Sequence, residues 1–203
     1  MRLRSIALVV TILLAHAAAR AQSGVFLTFD AQQFTQDGIY ANPGSHSNVD
    51  RPWVFGPGYG VYYDLNKLPA IPLTKWKPRT GPVALGIDAR GATLRVQEYG
   101  STLNRQDGIF SLRVAPREKW FNSTPYAIGG FGIGHTKRPF ASNYTNNFIY
   151  QFGVGADRNI AKKIDWRIFE ATAGSLGDYV TGTGAHPSNY LITLRTGVVF
   201  RIK

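Results

Sequence analysis

Chemistry in this chain has few candidate residues. There is no cysteine, so thiol nucleophiles, disulfides and cysteine-ligated metals are excluded. Of the four histidines, His16 falls in the first 21 residues, and His46, His135 and His186 make no metal-ligand spacing with one another. His186 and Ser188, two apart, would face one side of an extended chain, and no acid follows Ser188. The glycine-rich stretch Gly129, Gly130, Gly132 and Gly134 has no helix or lysine placed for a phosphate cradle. Its glycines suit close strand packing or a bulge. No cofactor and no metal site is expected.

The other charged residues recur at alternate positions, and this leads to the elements that hold them. Val25, Leu27, Phe29 and Ala31 alternate with Thr28, Asp30 and Gln32. The same period of two runs through residues 58–65, 83–90, 110–115, 148–157 and 192–201. Residues 125–135 and 165–173 read as two more strands of blurred phase. The total is about eight strands. Turn-rich stretches separate them at 36–51, 66–81, 100–108, 117–124, 137–147, 159–164 and 174–189. A helical alternative exists where Ile160, Ile164, Ile168 and Ala171 are spaced by four, four and three. No repeat or domain boundary interrupts residues 22–203.

Residues 1–21 stand apart. Arg2 and Arg4 precede a short apolar run, and Ala19-Arg20-Ala21 makes a small-residue cleavage pattern. This is the layout of a secretory signal peptide, and the run is too short to span a bilayer as a helix. Cleavage after Ala21 removes three of the 23 basic residues and lowers the net charge from +11 to about +8. An exported chain is not expected to meet nucleic acid.

The faces of the strands look inverted for a soluble protein. One face is rich in Leu, Ile, Val and Phe. The other mixes glycine with Asp30, Asp88, Arg90, Arg113, Asp157, Arg195 and Arg201. A phase break can turn Arg167 and Glu170 to that side as well. Apolar outside and charged inside is the pattern of a transmembrane barrel, whose closure leaves no backbone group unpaired in lipid. Trp53, Tyr99, Tyr150 and Tyr190 are placed at one end of the strands. Tyr63, Trp76, Trp120, Tyr126 and Trp166 are placed at the other, as two interfacial girdles. The expectation is an all-β, single antiparallel up-and-down transmembrane β-barrel of about eight strands. Its lumen should be filled by paired Arg and Asp/Glu side chains.

Two stretches carry a family likeness. Pro125-Tyr126-Ala127-Ile128-Gly129-Gly130-Phe131-Gly132-Ile133-Gly134 and Leu194-Arg195-Thr196-Gly197-Val198-Val199-Phe200-Arg201-Ile202 resemble a glycine-rich strand and the closing strand of the OmpA-like outer-membrane β-barrel superfamily. The end Phe200-Arg201-Ile202-Lys203 departs from the terminal aromatic that many such proteins carry. The resemblance implies a barrel-only member of the Gram-negative outer membrane. Its expected partners are outer-membrane lipids and the barrel-assembly machinery, with cell-wall polymer or an extracellular surface ligand as further candidates. It also bears on the His186-Pro187-Ser188-Asn189 run: small barrels resembling lipid A deacylases use an H-x-S-N element with the Ser as nucleophile, the His as its base and an acid downstream, and here only Glu170 or Asp178, both upstream, could serve as that acid.

An even strand number puts both termini on one side, with the turns at 66–81, 117–124 and 159–164. Those turns hold Lys67, Lys75, Lys77, Arg79, Arg117, Lys119, Lys162 and Lys163 against Glu118. This basic rim suits anionic headgroups or cell-wall polymer. The opposite loops, counting Arg105 and Asp107 among them, are nearly neutral. The functional expectation is a non-enzymatic outer-membrane barrel with a structural or surface-interaction role. Two other readings stay open: a lipid A-modifying hydrolase, and a soluble secreted barrel binding a small apolar ligand.

Overall fold

The computed structural model describes residues 23–34, 53–65, 83–98, 101–116, 119–137, 144–178 and 189–202. They form eight strands: β1 (Ser23–Phe34), β2 (Trp53–Asp64), β3 (Val83–Glu98), β4 (Ser101–Pro116), β5 (Ser123–Lys137), β6 (Tyr144–Ala161), β7 (Ile164–Asp178) and β8 (Asn189–Ile202). Each pairs antiparallel with the next, and β8 closes on β1, giving a barrel in the order β1 to β8. The strands form because their β-branched and aromatic residues suit a pleated surface covered on both sides. The helical alternative at residues 160–171 is overruled. Ala161 pairs with Ile164 across a two-residue turn, and β7 follows as a strand.

Much of what the sequence reads as turn is strand, residues 144–147 at the start of β6 among them. Residues 101–108 belong to β4, paired throughout with β3 and, from Asn104, with β5. Glu98 pairs with Ser101, so only two residues join these strands. Residues 174–178 continue β7.

The outer surface carries a band of exposed apolar side chains. Leu27, Phe29, Tyr59, Val61, Leu112, Phe131, Phe152 and Val154 are among those between half and two-thirds exposed. On β6 the band runs through Phe148, Tyr150, Phe152, Val154 and Ala156, bounded by Asn146 and Arg158. That is nine residues, the length of chain that crosses a bilayer as a tilted strand.

β3 and β4 are longer than this band requires. Sixteen residues at ~3.3 Å each, tilted by ~40°, rise about 40 Å along the axis, against a band about 25 Å tall. Past the band the two faces exchange character. Outward residues become Thr93, Arg95 and Gln97 on β3 and Gln106, Asn104 and Thr102 on β4. Inward residues become largely apolar: Leu94, Leu103 and Ile109 join Phe34, Val54, Ile149, Leu176 and Leu191 in a buried cluster around the ion pair of Arg105 and Asp107. The far end of the barrel is therefore packed like a soluble protein.

Glycines seat the larger side chains. A Cβ on Gly60 would lie 2.4 Å from the Phe26 ring, and one on Gly155 would lie 2.5 Å from the Tyr126 ring, both inside the barrel. On the outer wall, Phe152 covers Gly129 and Tyr59 covers Gly91, at 2.7 and 2.9 Å by the same measure. Aromatic side chains over cross-strand glycines hold register while giving the wall its curvature.

Candidate functional site

The lumen is built from the inward side of every strand. Five arginines there, Arg90, Arg105, Arg113, Arg167 and Arg195, meet five carboxylates, Asp30, Asp88, Asp107, Asp157 and Glu170. The charges balance, as they must where water is scarce and a lone ion costs several kcal/mol.

Glu170 is the centre. It accepts from Arg90 Nη1, from Arg195 Nη1 at 2.7 Å and from the Tyr126 hydroxyl at 2.9 Å. Arg167 Nη1 stands 3.4 Å away. Arg195 reaches across to Asp30 with its Nε at 2.9 Å, and Thr28 donates to the other oxygen of Asp30 at 2.6 Å. Arg90 Nε donates to Asp88 at 2.6 Å. Asp157 takes Arg167 Nε at 3.1 Å and Arg113 Nη2 at 2.9 Å.

Arg167 and Glu170 share the lumen because β7 is bulged. Pairing with β6 skips Ile168, and pairing with β8 skips Ile168 and Phe169. The extra residues turn two side chains three apart to the same side. Thr196 Oγ1 donates to the Arg167 carbonyl at 2.9 Å and satisfies a group the bulge removes from the ladder.

Aromatic rings separate the cations. The Phe26 ring has the guanidinium of Arg167 at 4.5 Å and that of Arg90 at 5.5 Å. Arg113 stacks 3.7 Å from the Tyr126 ring centre and 5.3 Å from that of Tyr62. Each contact is the favourable cation-over-ring geometry.

A second tier lies toward the far end. Arg105 Nε donates to Gln32 at 3.0 Å, its Nη1 donates to Thr136 at 3.1 Å, and its Nη2 sits 2.9 Å from Asp107. Gln32 Nε2 donates to Asp107 at 2.6 Å. The sequence reading placed Arg105 and Asp107 in an outer loop, and the structure corrects this: Arg105 is fully buried and Asp107 nearly so. Continuing the period of two back from Ser111 would have found them. Tyr126 is a second correction. It was placed in an interfacial girdle, yet it is 4% exposed and points into the lumen, because β5 turns Tyr126, Ile128 and the even-numbered glycines inward.

Arg201 stands at the terminal end, its Nε 3.1 Å from Asp165 and its Nη2 donating to the Ala161 carbonyl at 3.1 Å. A cavity of about 300 Å³ opens there, lined by Tyr62, Asp64, Arg113, Asp157, Asp165 and Arg201 among others. Of the basic rim, Lys119, Lys162 and Lys163 are described and exposed. Lys67, Lys75, Lys77, Arg79 and Arg117 lie outside the described residues, as do residues 1–21, His186 and Ser188. The described residues hold no cluster of three or more His, Asp or Glu able to bind a metal.

No protein family matches the chain, and no curated protein does. Its likeness is to solved barrels of the outer membrane. Neisserial surface protein A is similar at 10% identity, over 87% of this chain and 96% of that one, with a TM-score of 0.49. Ail, the attachment invasion locus protein of Yersinia pestis, is similar at 12% identity, over 90% and 99%, with a TM-score of 0.46. The N-terminal β-barrel domain of Pseudomonas aeruginosa OprF is similar at 10% identity, over 89% and 100%, with a TM-score of 0.43.

Proposed function

We propose that this protein is an integral outer-membrane barrel, exported by residues 1–21, with a closed lumen and a structural or surface-interaction role rather than an enzymatic one. The observation that carries the reading is the exposed apolar band wrapped around a neutral, ion-paired interior. A band of that extent in water would drive aggregation, whereas in lipid it is the surface a barrel requires. Buried arginines tied to several carboxylates suit a rigid wall better than a transport path. Its partners on this reading are outer-membrane lipids and the assembly machinery, with cell-wall polymer or a surface ligand beyond them.

Cell fractionation tests it. The protein is expected in the outer-membrane fraction after high-salt and urea washes, with a gel mobility that changes on boiling. Lipid A from expressing cells is expected to match that of cells lacking the protein. Full solubility without detergent overturns the membrane reading. A deacylated lipid A that disappears in Ser188→Ala overturns the non-enzymatic one.

A further inference from the structure

The turn joining β4 to β5 has a composition that water does not explain. Trp120 and Ser123 exchange two backbone hydrogen bonds of 2.8 Å around Phe121 and Asn122. Phe121 has φ 49° and Asn122 φ 62°. Such two-residue hairpins favour Asn-Gly, because both central residues are left-handed. A phenylalanine there is disfavoured by its backbone. It gains nothing from packing, being 99% exposed, and Trp120 beside it is 66% exposed.

The turn is fixed in place. Asn122 Nδ2 donates to the Asn159 carbonyl at 3.1 Å, and Asn159 N–H donates to the Asn122 carbonyl at 3.2 Å. This stitches the β4–β5 turn to the end of β6 and the β6–β7 turn beside it. The joined shelf carries three exposed cations, Arg158, Lys162 and Lys163, and a fourth, Lys119, stands beside it at the mouth of the terminal-end cavity. Arg158 pairs with Ser123 on one side and with Trp166 on the other, at the lower edge of the apolar band. Among the described residues of this flank, the carboxylates Asp157 and Asp165 are held inside by Arg113, Arg167 and Arg201. The outward face of the shelf is thus cationic and aromatic, and continuous with the band.

We infer that this shelf is a binding site for anionic phospholipid in the periplasmic leaflet. Its cations would take the headgroup phosphate, and Trp120 and Phe121 would enter the interface beside it. Aromatic side chains favour that depth, and each basic residue near an anionic surface adds attraction. In that setting the exposed Phe121 ring is covered by lipid, which gives a reason for the strained turn. The inference rests on the membrane reading above.

Tryptophan quenching tests both separately. Two single-tryptophan variants keep Trp120 or Trp166, with the other tryptophans replaced by phenylalanine. Each is folded into phosphatidylcholine vesicles with or without phosphatidylglycerol, and a boiling-dependent gel shift verifies folding. Trp166, on the band, should be quenched by lipids brominated near the headgroup in both vesicles. Trp120 should be quenched several-fold more with phosphatidylglycerol present and be shielded there from aqueous acrylamide. The preference should vanish in Lys119→Gln/Arg158→Gln/Lys162→Gln/Lys163→Gln. Rising salt should abolish it in the parent protein, which covers the case in which that variant does not fold. If Trp166 is quenched by lipid but Trp120 only by acrylamide, the shelf faces water or a periplasmic protein and the inference fails. Equal quenching of Trp120 in both vesicles overturns the anionic assignment. If neither tryptophan is quenched by lipid, the membrane reading itself falls.

Discussion

Arg195 is the residue whose loss would be felt most widely in the lumen. It joins Asp30 on β1 to Glu170 on β7 from its own place on β8, and its side chain is 2% exposed. Removing it leaves Asp30 with the Thr28 hydroxyl in place of a cation and takes one of three arginines from Glu170. An uncompensated buried carboxylate is costly, so Arg195→Ala should lower stability by roughly 3–5 kcal/mol. Arg201→Ala removes an ion pair with Asp165 nearer the mouth, with side chains 20% and 14% exposed. That pair lines the open cavity and Asp165 keeps the Asn159 amide as a donor, so the loss should be smaller than that of Arg195→Ala. Urea unfolding in lipid vesicles, followed by tryptophan emission, checks both. Similar losses for the two variants would mean that water reaches the Asp30–Arg195–Glu170 tier as freely as it reaches the mouth. Much of this tier was legible in the sequence, because arginine and aspartate at mid-strand positions have no business facing lipid. Tyr126 was not. Tyrosine suits both an interface and a lumen, and only the phase of β5 decides between them.

A strand of this barrel changes environment along its length, and period two reports alternation without reporting which side is wet. On β4 the outward residues run Val114, Leu112, Phe110, Gly108, Gln106 and Asn104. The pleat never breaks, yet apolar gives way to polar beyond Phe110. In the sequence this exchange resembles the end of a strand followed by a turn, so Arg105 and Asp107 were assigned to a loop. Their inward neighbours Leu103 and Ile109 show the strand continuing with its faces exchanged. The bulge of β7 was legible only as a loss of phase between Arg167 and Glu170. The exchange yields a prediction about one face of one strand. Leu112→Lys, within the apolar band, should destabilise the folded barrel by about 2–4 kcal/mol, while Gln106→Lys, on the same face and farther along, should cost about 0–1 kcal/mol. The difference in unfolding midpoint between the two variants in vesicles is the measurement. Equal costs would place both positions at the same depth and remove the case for strands standing clear of the bilayer.

Across the whole molecule the lumen is closed twice, by different physics. Four arginines and four carboxylates fill its middle and Arg105 with Asp107 lies toward the far end, with no net charge among them, so the excess of basic residues lies outside the lumen. Around the farthest pair, Arg105 and Asp107, the side chains of Phe34, Val54, Leu94, Leu103, Ile149, Leu176 and Leu191 pack the far end with almost no exposure, and Arg105 lies over the Phe34 ring. Ion pairs can exchange partners and let water through. A dry apolar constriction excludes ions because they would have to shed their hydration. The cavity at the terminal end should therefore behave as a cup rather than half of a channel. Planar-bilayer recordings of the intact protein should show no steady ohmic conductance. Glu170→Gln, which loosens the ionic tier, should remain closed, because the apolar tier does not depend on it. Leu94→Ser/Leu103→Ser should admit water to the far end, read as increased labelling of a cysteine placed at Ile109, with folding verified by the boiling-dependent gel shift. A large conductance from Glu170→Gln would assign the whole seal to the ion pairs, and one from the parent protein would make the barrel a pore.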